Sequence, residues 1–323
     1  MSMESANQEV WIGVDVGTTG VRAIAYTADG TNVCSAEAFY PLLTPHPDWA
    51  EENPLQIYES VEQVIRQTAD QLRYKNKELC GVALSTVMHS FAGLNADKEP
   101  LMDMQTWADS RSVDIVKEMK KDPDLCRSFY ERTGCPIHAS YPFTKIIWLH
   151  RHQPDLFKQM KFVGSIKDYM FYKMTDQWVI DKSTASTSGM YNEQTLAWDE
   201  DILAYAGIDI SYMPPVVSTT YSHPLSASAA AAMHLPAGLP IVIGATDGVL
   251  VNVGIGAVQP GQLSATIGTS GAFRMLTRQP KTDPNMRTWC YNLTDDMWVA
   301  GGAINNGGMI LRWVRDKICH YGG

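Results

Sequence analysis

A turn rich in glycine and hydroxyl side chains, set between two apolar runs, occurs twice in the chain. The first copy reads Gly-Thr-Thr-Gly at 17–20, and the second reads Gly-Thr-Ser-Gly at 268–271. Each copy predicts a β-hairpin, and its glycines let backbone N–H groups approach a ligand closely. Hydroxyl groups add donors that suit phosphate oxygens. A single copy would be read as an ordinary turn, but two copies predict two similar units that face one nucleotide.

Asp15 lies two positions before the first turn. A carboxylate there repels phosphate unless a divalent cation lies between them, and Mg²⁺ combines carboxylate, water and phosphate oxygens. The pattern therefore predicts a metal-associated role for Asp15. The alternative is an aspartate that only caps the turn.

Asp247 follows an apolar run and precedes Gly248 and a small-residue segment. A carboxylate at the end of a strand can act as a general base towards a substrate hydroxyl, as aspartate does in many phosphoryl transfers. The same position also suits an aspartate at a helix N-cap, and both roles are open.

Two further segments have the composition of a sugar pocket. Met88 and His89 follow a predicted strand, where open α/β sheets build their sites, and His89 is expected to donate to a hydroxyl or a carboxylate. Trp107 and Asp109 combine an aromatic wall with a group that binds hydroxyls. The alternatives are a satisfied histidine at a strand end and a simple helix start at Asp109.

The sequence Asn-Asn-Gly-Gly at 305–308 precedes a predicted helix. Free N–H groups and the positive end of the helix dipole would suit a phosphate near Gly308. The alternative is a plain glycine turn with an asparagine cap.

Composition narrows the class of protein. The chain has 323 residues, 45% of them hydrophobic, and a formal net charge of −9, which argues against nucleic acid as a partner. Its six cysteines form no Cys-x-x-Cys pair, so we expect a reducing compartment, the cytoplasm. No apolar run is long enough to predict a membrane span or a signal peptide.

The elements that must position these residues follow from periodicity and turn signals. Strands are predicted at 10–16, 21–26, 32–39, 80–86, 91–94, 162–164 and 240–245, and again at 261–267, 272–276, 287–293 and 297–300. Helices are predicted at 54–74, with Asn53 as N-cap, and at 110–121, 124–133, 141–152, 166–175, 203–207, 226–233, 249–257 and 309–318. The glycine-rich stretch at 301–308 is predicted to open the last helix.

These segments, in this order, resemble the FGGY carbohydrate kinases, and several of them look specifically like the gluconokinases of that family. The similar segments are Met88-His-Ser90, residues 106–112, 132–138, 195–200, 244–250, 266–272 and 305–313. The resemblance implies an α/β fold of the actin, hexokinase and Hsp70-like ATPase type, which is ribonuclease H-like. It also implies phosphorylation of D-gluconate to 6-phosphogluconate with ATP and Mg²⁺.

Site roles also follow from the resemblance. Asp247 matches the catalytic base, and Asp15 matches the aspartate associated with metal and phosphate. Gly17, Thr18, Thr19 and Arg22 match the first phosphate motif, and Arg22 becomes a candidate for charge near the transferred phosphoryl group. The second motif comprises Gly268, Thr269 and Gly271. The residues that match the substrate pocket are Met88, His89, Trp107 and Asp109.

Family members continue well beyond position 323, where they supply the adenosine motif. The resemblance thus implies a complete first domain at 1–244 and an incomplete second domain at 245–323. A xylulose- or ribulose-type kinase and a catalytically silent sugar-binding fragment remain alternatives. The small-molecule partner is a sugar acid, and a second copy of the chain, giving a homodimer, could cover the unfinished domain.

Overall fold

A computed structural model describes residues 9–75, 77–268, 271–304 and 306–319. Its strands are β1 (Glu9–Val16), β2 (Gly20–Thr27), β3 (Asn32–Phe39), β4 (Glu51–Glu52), β5 (Glu78–Thr86), β6 (Ala92–Leu94), β7 (Met104–Gln105), β8 (Phe162–Gly164), β9 (Ile180–Asp181), β10 (Tyr191–Asn192), β11 (Ala197–Trp198), β12 (Val216–Val217), β13 (Ser222–Pro224), β14 (Pro240–Thr246), β15 (Leu263–Ile267), β16 (Gly271–Thr277), β17 (Trp289–Thr294) and β18 (Met297–Ile304).

Helices cover the first sheet and fill the connections. They are α1 (Pro54–Arg73), α2 (Val113–Met119), α3 (Pro123–Thr133), α4 (Pro142–His152), α5 (Pro154–Gln159), α6 (Ile166–Thr175), α7 (Lys182–Ser186), α8 (Glu200–Ala206), α9 (Ala227–Met233), α10 (Asp247–Gly254) and α11 (Gly308–Trp313). A 3₁₀ turn spans Ile210–Tyr212, and a π-helical turn, Val314–Ile318, continues α11.

The first sheet has the order β13-β14-β5-β1-β2-β3. Strands β14, β5 and β1 run parallel, whereas β1, β2 and β3 form an antiparallel meander. Strict alternation of buried and outward residues on β1 and β2 directs one face of the sheet to a core. The carboxyl ends of the parallel strands therefore meet at one edge.

Helix α1 shows how local sequence sets the core of the first sheet. Asn53 caps it by accepting the backbone N–H of Gln56 at 3.0 Å, and Pro54 occupies its first turn, as the sequence predicts. The apolar stripe of α1 is buried against the sheet; its members include Ile57, Val61, Val64, Ile65 and Leu72.

The second sheet has the order β15-β16-β18-β17 and docks onto the rest of the chain through one face. Leu276, Tyr291 and Val299 from that face pack in one buried cluster with Tyr141 and Val249. The opposite face carries exposed apolar side chains. They include Leu263, Ile267, Phe273, Met275 and Ile304.

Several predicted boundaries differ from the structure; the helices predicted at 203–207 and 249–257, for example, run over Glu200–Ala206 and Asp247–Gly254. Helix α2 begins at Val113 rather than at 110, because the preceding residues are held in a buried ion-pair network. Strand β18 runs through 301–304, which were predicted to lie in the loop before the last helix, because Gly301 and Gly302 pair with β16. The division into domains at 1–244 and 245–323 stays a prediction, and Gly244 itself lies within β14.

Within the described ranges, no helix combines the length and apolar composition that a membrane crossing requires. The six cysteines all lie in those ranges and are free thiols.

Candidate active site

Three neighbouring parallel strands bring the predicted catalytic and metal residues to one edge of the first sheet. Asp15 on β1 pairs in register with Ser85 on β5, and Ala245 on β14 pairs with the same serine. Asp247 follows two residues after Ala245. Open α/β sheets build their sites at the carboxyl ends of such strands.

A bulge in β14 directs Asp247 towards this edge. The register between β14 and β5 shifts between Val242 and Ala245, so that two residues of β14 face one residue of β5. Gly244 lies in the bulge with φ of +69°, and a Cβ there would overlap the carbonyl oxygen of Leu84. Glycine is therefore required by both conformation and space.

The Lys167 ammonium stabilises the bulge through two hydrogen bonds. This buried side chain of α6 donates to the carbonyl oxygens of Ile243 at 3.0 Å and of Ala245 at 2.8 Å, one on each side of Gly244. The Ser183 hydroxyl accepts the backbone N–H of Thr246 at 3.2 Å. These contacts fix the backbone immediately before Asp247.

Asp247 occupies the first residue of α10, and Thr246 is the N-cap, so the alternative of an Asp247 N-cap is wrong by one position. Its carboxylate accepts the N–H of Gly248 at 2.6 Å. Burial raises the pKa of Asp247 to about 6, and the negative charge of Asp15 adds to the increase. Arg274 and Lys167 act in the opposite direction. A carboxylate with this pKa is suited to accept a proton near neutral pH.

The first hairpin forms an open, polar cavity of 270 Å³ beside this edge. The backbone N–H of Gly17 donates to the carbonyl of Gly20 at 2.9 Å and closes the turn. The Ser85 hydroxyl donates to Asp15 at 2.8 Å. The cavity is lined by Asp15, Gly17, Thr18, Thr19, Gly20, Val21, Arg22, Glu37 and Phe39.

Arg22 lines this cavity and forms an ion pair with Glu37. Its Nη2 lies 2.8 Å from the Glu37 carboxylate, and the Arg22 side chain is 60% exposed. An exposed ion pair of this kind is weak, so the guanidinium can exchange Glu37 for a phosphate at little cost.

Trp107 connects the predicted sugar segment to the first hairpin. Its indole Nε1–H donates to the Thr18 hydroxyl oxygen at 2.9 Å, while about half of the side chain (49%) stays exposed. Because indole only donates, the Thr18 oxygen accepts here, and its own hydrogen remains available for another acceptor such as a phosphate oxygen.

Asp109 does not reach the site surface. It is 1% exposed, and its carboxylate accepts from the Arg111 guanidinium at 2.7 Å and from the backbone N–H of Ala50 at 2.9 Å. Arg111 is also buried, and it stacks on Trp49 and pairs with Glu51 at 2.6 Å. The Asp109 oxygens are occupied by the chain itself, so its prediction as a substrate ligand does not fit this geometry.

His89 lies half-buried with a defined tautomer. Nδ1 is 2.7 Å from the Thr187 carbonyl oxygen, and because a carbonyl only accepts, Nδ1 carries the hydrogen. Burial lowers the pKa of His89 to about 3, so the ring is neutral and Nε2 has a free lone pair. His89 was predicted to donate a hydrogen bond to the substrate, but at Nε2 it can only accept one.

Met88 lies next to His89 in sequence and approaches Gly248. A side chain at position 248 would overlap the Met88 methyl group.

Lys145 links the two predicted substrate segments and was missed from the sequence. This buried side chain of α4 donates to the carbonyl oxygens of His89 at 2.8 Å and of Thr106 at 2.6 Å. Burial lowers its pKa to about 7. The available signal was a lysine on the apolar face of a predicted helix, next to Ile146 and Ile147.

The second hairpin meets the predicted phosphate turn at Gly308. The backbone N–H of Gly308 donates to the carbonyl of Gly268 at 2.6 Å. Both glycines line an open cavity of 610 Å³ together with the basic side chains of Arg312 and Lys317. Gly271 begins β16, whereas Thr269 lies outside the described residues.

Arg274 on β16 is a second residue that the sequence prediction missed. Its guanidinium lies beside Asp247 and Gly248, and its Nη1 donates to the Thr266 hydroxyl at 3.2 Å. The sequence signal was a basic residue three positions after the second turn, much as Arg22 follows the first turn by two positions.

The donor set at this edge fits a hard divalent cation held partly by another ligand. Asp15 and Asp247 are close enough for one charge to raise the pKa of the other. No cluster of three or more His, Cys, Asp or Glu ligands occurs in the part of the chain that the structure describes. Mg²⁺ is commonly bound by one or two carboxylates with phosphate and water.

The fold and this edge define an α/β protein with two phosphate-type hairpins around a strand-end carboxylate. The model of the FGGY family of carbohydrate kinases, N-terminal domain, matches residues 10–254. The chain therefore belongs to the FGGY family of carbohydrate kinases.

Known proteins of the family match most of the chain. A gluconokinase from Bacillus licheniformis is 40% identical over 309 residues, which cover 95% of this chain and 60% of the relative. The crystal structure of a gluconate kinase from Lactobacillus acidophilus matches with a TM-score of 0.91 at 31% identity, over 96% of this chain and 62% of that one. A xylulose kinase from Rhodospirillum rubrum matches with a TM-score of 0.91 at 27% identity, over 97% of this chain and 64% of that one.

The sequence prediction of the family and of its α/β fold is thus confirmed. The chain spans about 60% of the length of the curated gluconokinases that it matches.

Proposed function

We propose that this chain carries the sugar site and the phosphoryl-transfer end of an ATP-dependent gluconokinase, which converts D-gluconate to 6-phosphogluconate. The observation that carries the proposal is the Asp247 carboxylate, whose pKa is raised to about 6 and which lies near Asp15 of the first hairpin and Arg274 of the second. The 40% identity to a gluconokinase supports gluconate as the substrate.

In this mechanism Asp247 accepts the proton of the terminal hydroxyl. The hydroxyl oxygen then forms a bond to the γ-phosphorus, the bond from that phosphorus to the bridging oxygen breaks, and ADP leaves with the electron pair. The hydroxyls of Thr18 and Thr19, in the turn that Gly17 closes, bind phosphate oxygens, and the second hairpin does so near Gly268 and Gly308.

Asp15 is the residue that we propose to hold Mg²⁺, directly or through water. The bound cation supplies charge neutralisation across the phosphates. The Ser85 hydroxyl orients one carboxylate oxygen of Asp15, which leaves the other for this role.

His89, Met88 and Trp107 line the proposed substrate side. His89 Nε2 accepts a hydroxyl hydrogen, and the Lys145 bridge holds the His89 and Thr106 segments at a fixed separation. Asp109 acts indirectly in this proposal, by fixing the loop that carries Trp107.

A coupled assay with ATP and a panel of gluconate, xylulose, ribulose and glycerol tests the substrate. We expect turnover to be highest with gluconate. Xylulose is the second candidate, because a xylulose kinase superposes as closely as the gluconate kinase does. A higher turnover with xylulose would replace the gluconate proposal, and absence of turnover with all four substrates would leave a sugar-binding fragment.

Asp247→Asn tests the catalytic base in the same assay. We expect turnover to fall by about 10²- to 10⁴-fold, while the gluconate-induced rise in melting temperature persists. The matched control is Asp124→Asn, which changes an exposed carboxylate of α3. Equal turnover in the two variants would refute the role of Asp247.

A further inference from the structure

Arg274 carries a polar group that has no partner among the residues that the structure describes. Its Nε is buried and meets no hydrogen-bond acceptor in those ranges, while the Nη1 atom of the same guanidinium donates to Thr266. A buried donor without an acceptor is costly, and such a group in a native structure needs an explanation. An anionic ligand would provide one.

The position of the guanidinium identifies the end of the site that it serves. A Cβ at Gly248 would stand 3.8 Å from Arg274 Nε, so the guanidinium lies against the first turn of α10, beside Asp247. Arg274 pairs in register with Ser264, yet its side chain reaches Thr266, which is closer to the turn of the hairpin. The guanidinium thus lies between the first turn of α10, which carries Asp247, and Thr266 on β15.

The backbone beneath Arg274 is fixed by buried polar contacts. Ser264 and Asn252 hydrogen-bond to each other at 2.8 Å, and both approach the Arg274 carbonyl oxygen. Because these contacts involve the main-chain carbonyl of Arg274, they hold the residue in place without using its guanidinium.

We infer that Arg274 binds the phosphoryl group in transfer and is a catalytic residue of this site. The inference rests on the proposed function. The carboxylate of a sugar acid is the other candidate anion, but it lies at the opposite end of the carbon chain from the hydroxyl that Asp247 activates. A guanidinium beside Asp247 therefore meets the phosphoryl oxygens, which its planar fork suits.

Binding measurements test this inference without requiring turnover. The chain is titrated by calorimetry with inorganic tripolyphosphate in the presence of Mg²⁺ and, separately, with gluconate. Arg274→Met should weaken tripolyphosphate binding by about tenfold to a hundredfold and change gluconate binding by less than about threefold. The tripolyphosphate affinity of Arg274→Lys should lie between those of the unsubstituted chain and Arg274→Met. An ammonium keeps the positive charge but lacks the paired N–H donors of the planar guanidinium.

Arg278→Met is the matched control. Arg278 follows β16 by one residue, is half-exposed and pairs with Asp296 at 2.9 Å, so its loss should leave both affinities unchanged. Equal tripolyphosphate affinity in Arg274→Met and Arg278→Met would overturn the inference, as would failure of the unsubstituted chain to bind tripolyphosphate. A larger loss for gluconate than for tripolyphosphate would make Arg274 a carboxylate ligand instead.

The substrate panel described above reports on the proposed function separately. If the unsubstituted chain is active and Arg274→Met binds tripolyphosphate normally, the kinase proposal stands and Arg274 has no role in it. If Arg274→Met does not fold, as judged by near-ultraviolet circular dichroism, Arg274→Lys provides the same comparison with the charge retained.

Discussion

The two hairpins share a turn sequence but occupy different environments. The first, β1 and β2, belongs to a sheet whose inner face is covered by α1, and its arginine is exposed and paired with Glu37. The second, β15 and β16, lies at the edge of a sheet with an exposed apolar face, and its arginine is half-buried beside Asp247.

The two hairpins therefore have different effects on the site although their turn sequences are similar. The first hairpin contributes a negative charge, Asp15, which raises the pKa of Asp247. The second contributes a positive charge, Arg274, which lowers it. Burial is the main cause of the raised pKa of Asp247, and the two hairpins add to it a smaller balance of opposite charges. The following experiments compare the two hairpins and the strand bulge between them.

The largest effect is expected at the bulge that lies between the hairpins in sequence. Gly244→Ala should lower the free energy of unfolding by more than about 3 kcal/mol, because a Cβ would overlap the Leu84 carbonyl in addition to the cost of positive φ. Gly238→Ala is the control. Gly238 has φ of +84° with open space around it, so the free energy of unfolding of Gly238→Ala should fall by only about 1 to 2 kcal/mol. Urea unfolding measures both, and equal losses would show that the bulge is not tightly packed.

Removing the charged side chain of one hairpin or of the other should shift the pKa of Asp247 in opposite directions. Asp15→Asn should lower the pKa of Asp247 below its value of about 6, and Arg274→Met should raise it. The fraction of ionised base at pH 6 would therefore rise in the first variant and fall in the second. Titration of the Asp247 carboxyl ¹³C resonance measures both, with Arg278→Met as the unchanged reference. Shifts in the same direction would contradict the balance.

A smaller effect is expected at the contact between Trp107 and the first hairpin. Trp107→Phe removes the donor to Thr18 but keeps an aromatic ring, so tripolyphosphate affinity should fall by about threefold to tenfold. Trp11→Phe replaces an exposed tryptophan of β1 and should have no effect on affinity. An unchanged affinity in Trp107→Phe would mean that Thr18 needs no orientation by the indole.

The smallest effect is expected at the exposed ion pair of the first hairpin. Glu37→Gln should change the free energy of unfolding by less than about 1 kcal/mol, because Arg22 and Glu37 are both solvent-exposed. The same substitution frees Arg22 and should leave tripolyphosphate binding equal or slightly tighter. A clear loss of affinity would show that Glu37 positions Arg22 for phosphate.

Local patterns predicted much of the fold. Alternating apolar residues predicted β1, β2 and β3, and an asparagine followed by proline predicted the start of α1. The two-residue strands were missed, since pairs such as β4 with β7 form only when distant segments meet. The family resemblance also supplied Asp15 and Asp247, which the parallel strands bring to one edge.

The sequence by itself determined the types of residue at the site: the two glycine turns, the strand-end carboxylates and the family to which they belong. Only the tertiary structure decided which charges are free. It pairs Asp109 with Arg111, sets the His89 tautomer through Thr187, and gives Arg274 Nε no acceptor within the described residues. The physical reason is that desolvation and hydrogen-bond partners depend on residues far apart in the chain, and no local spacing records them.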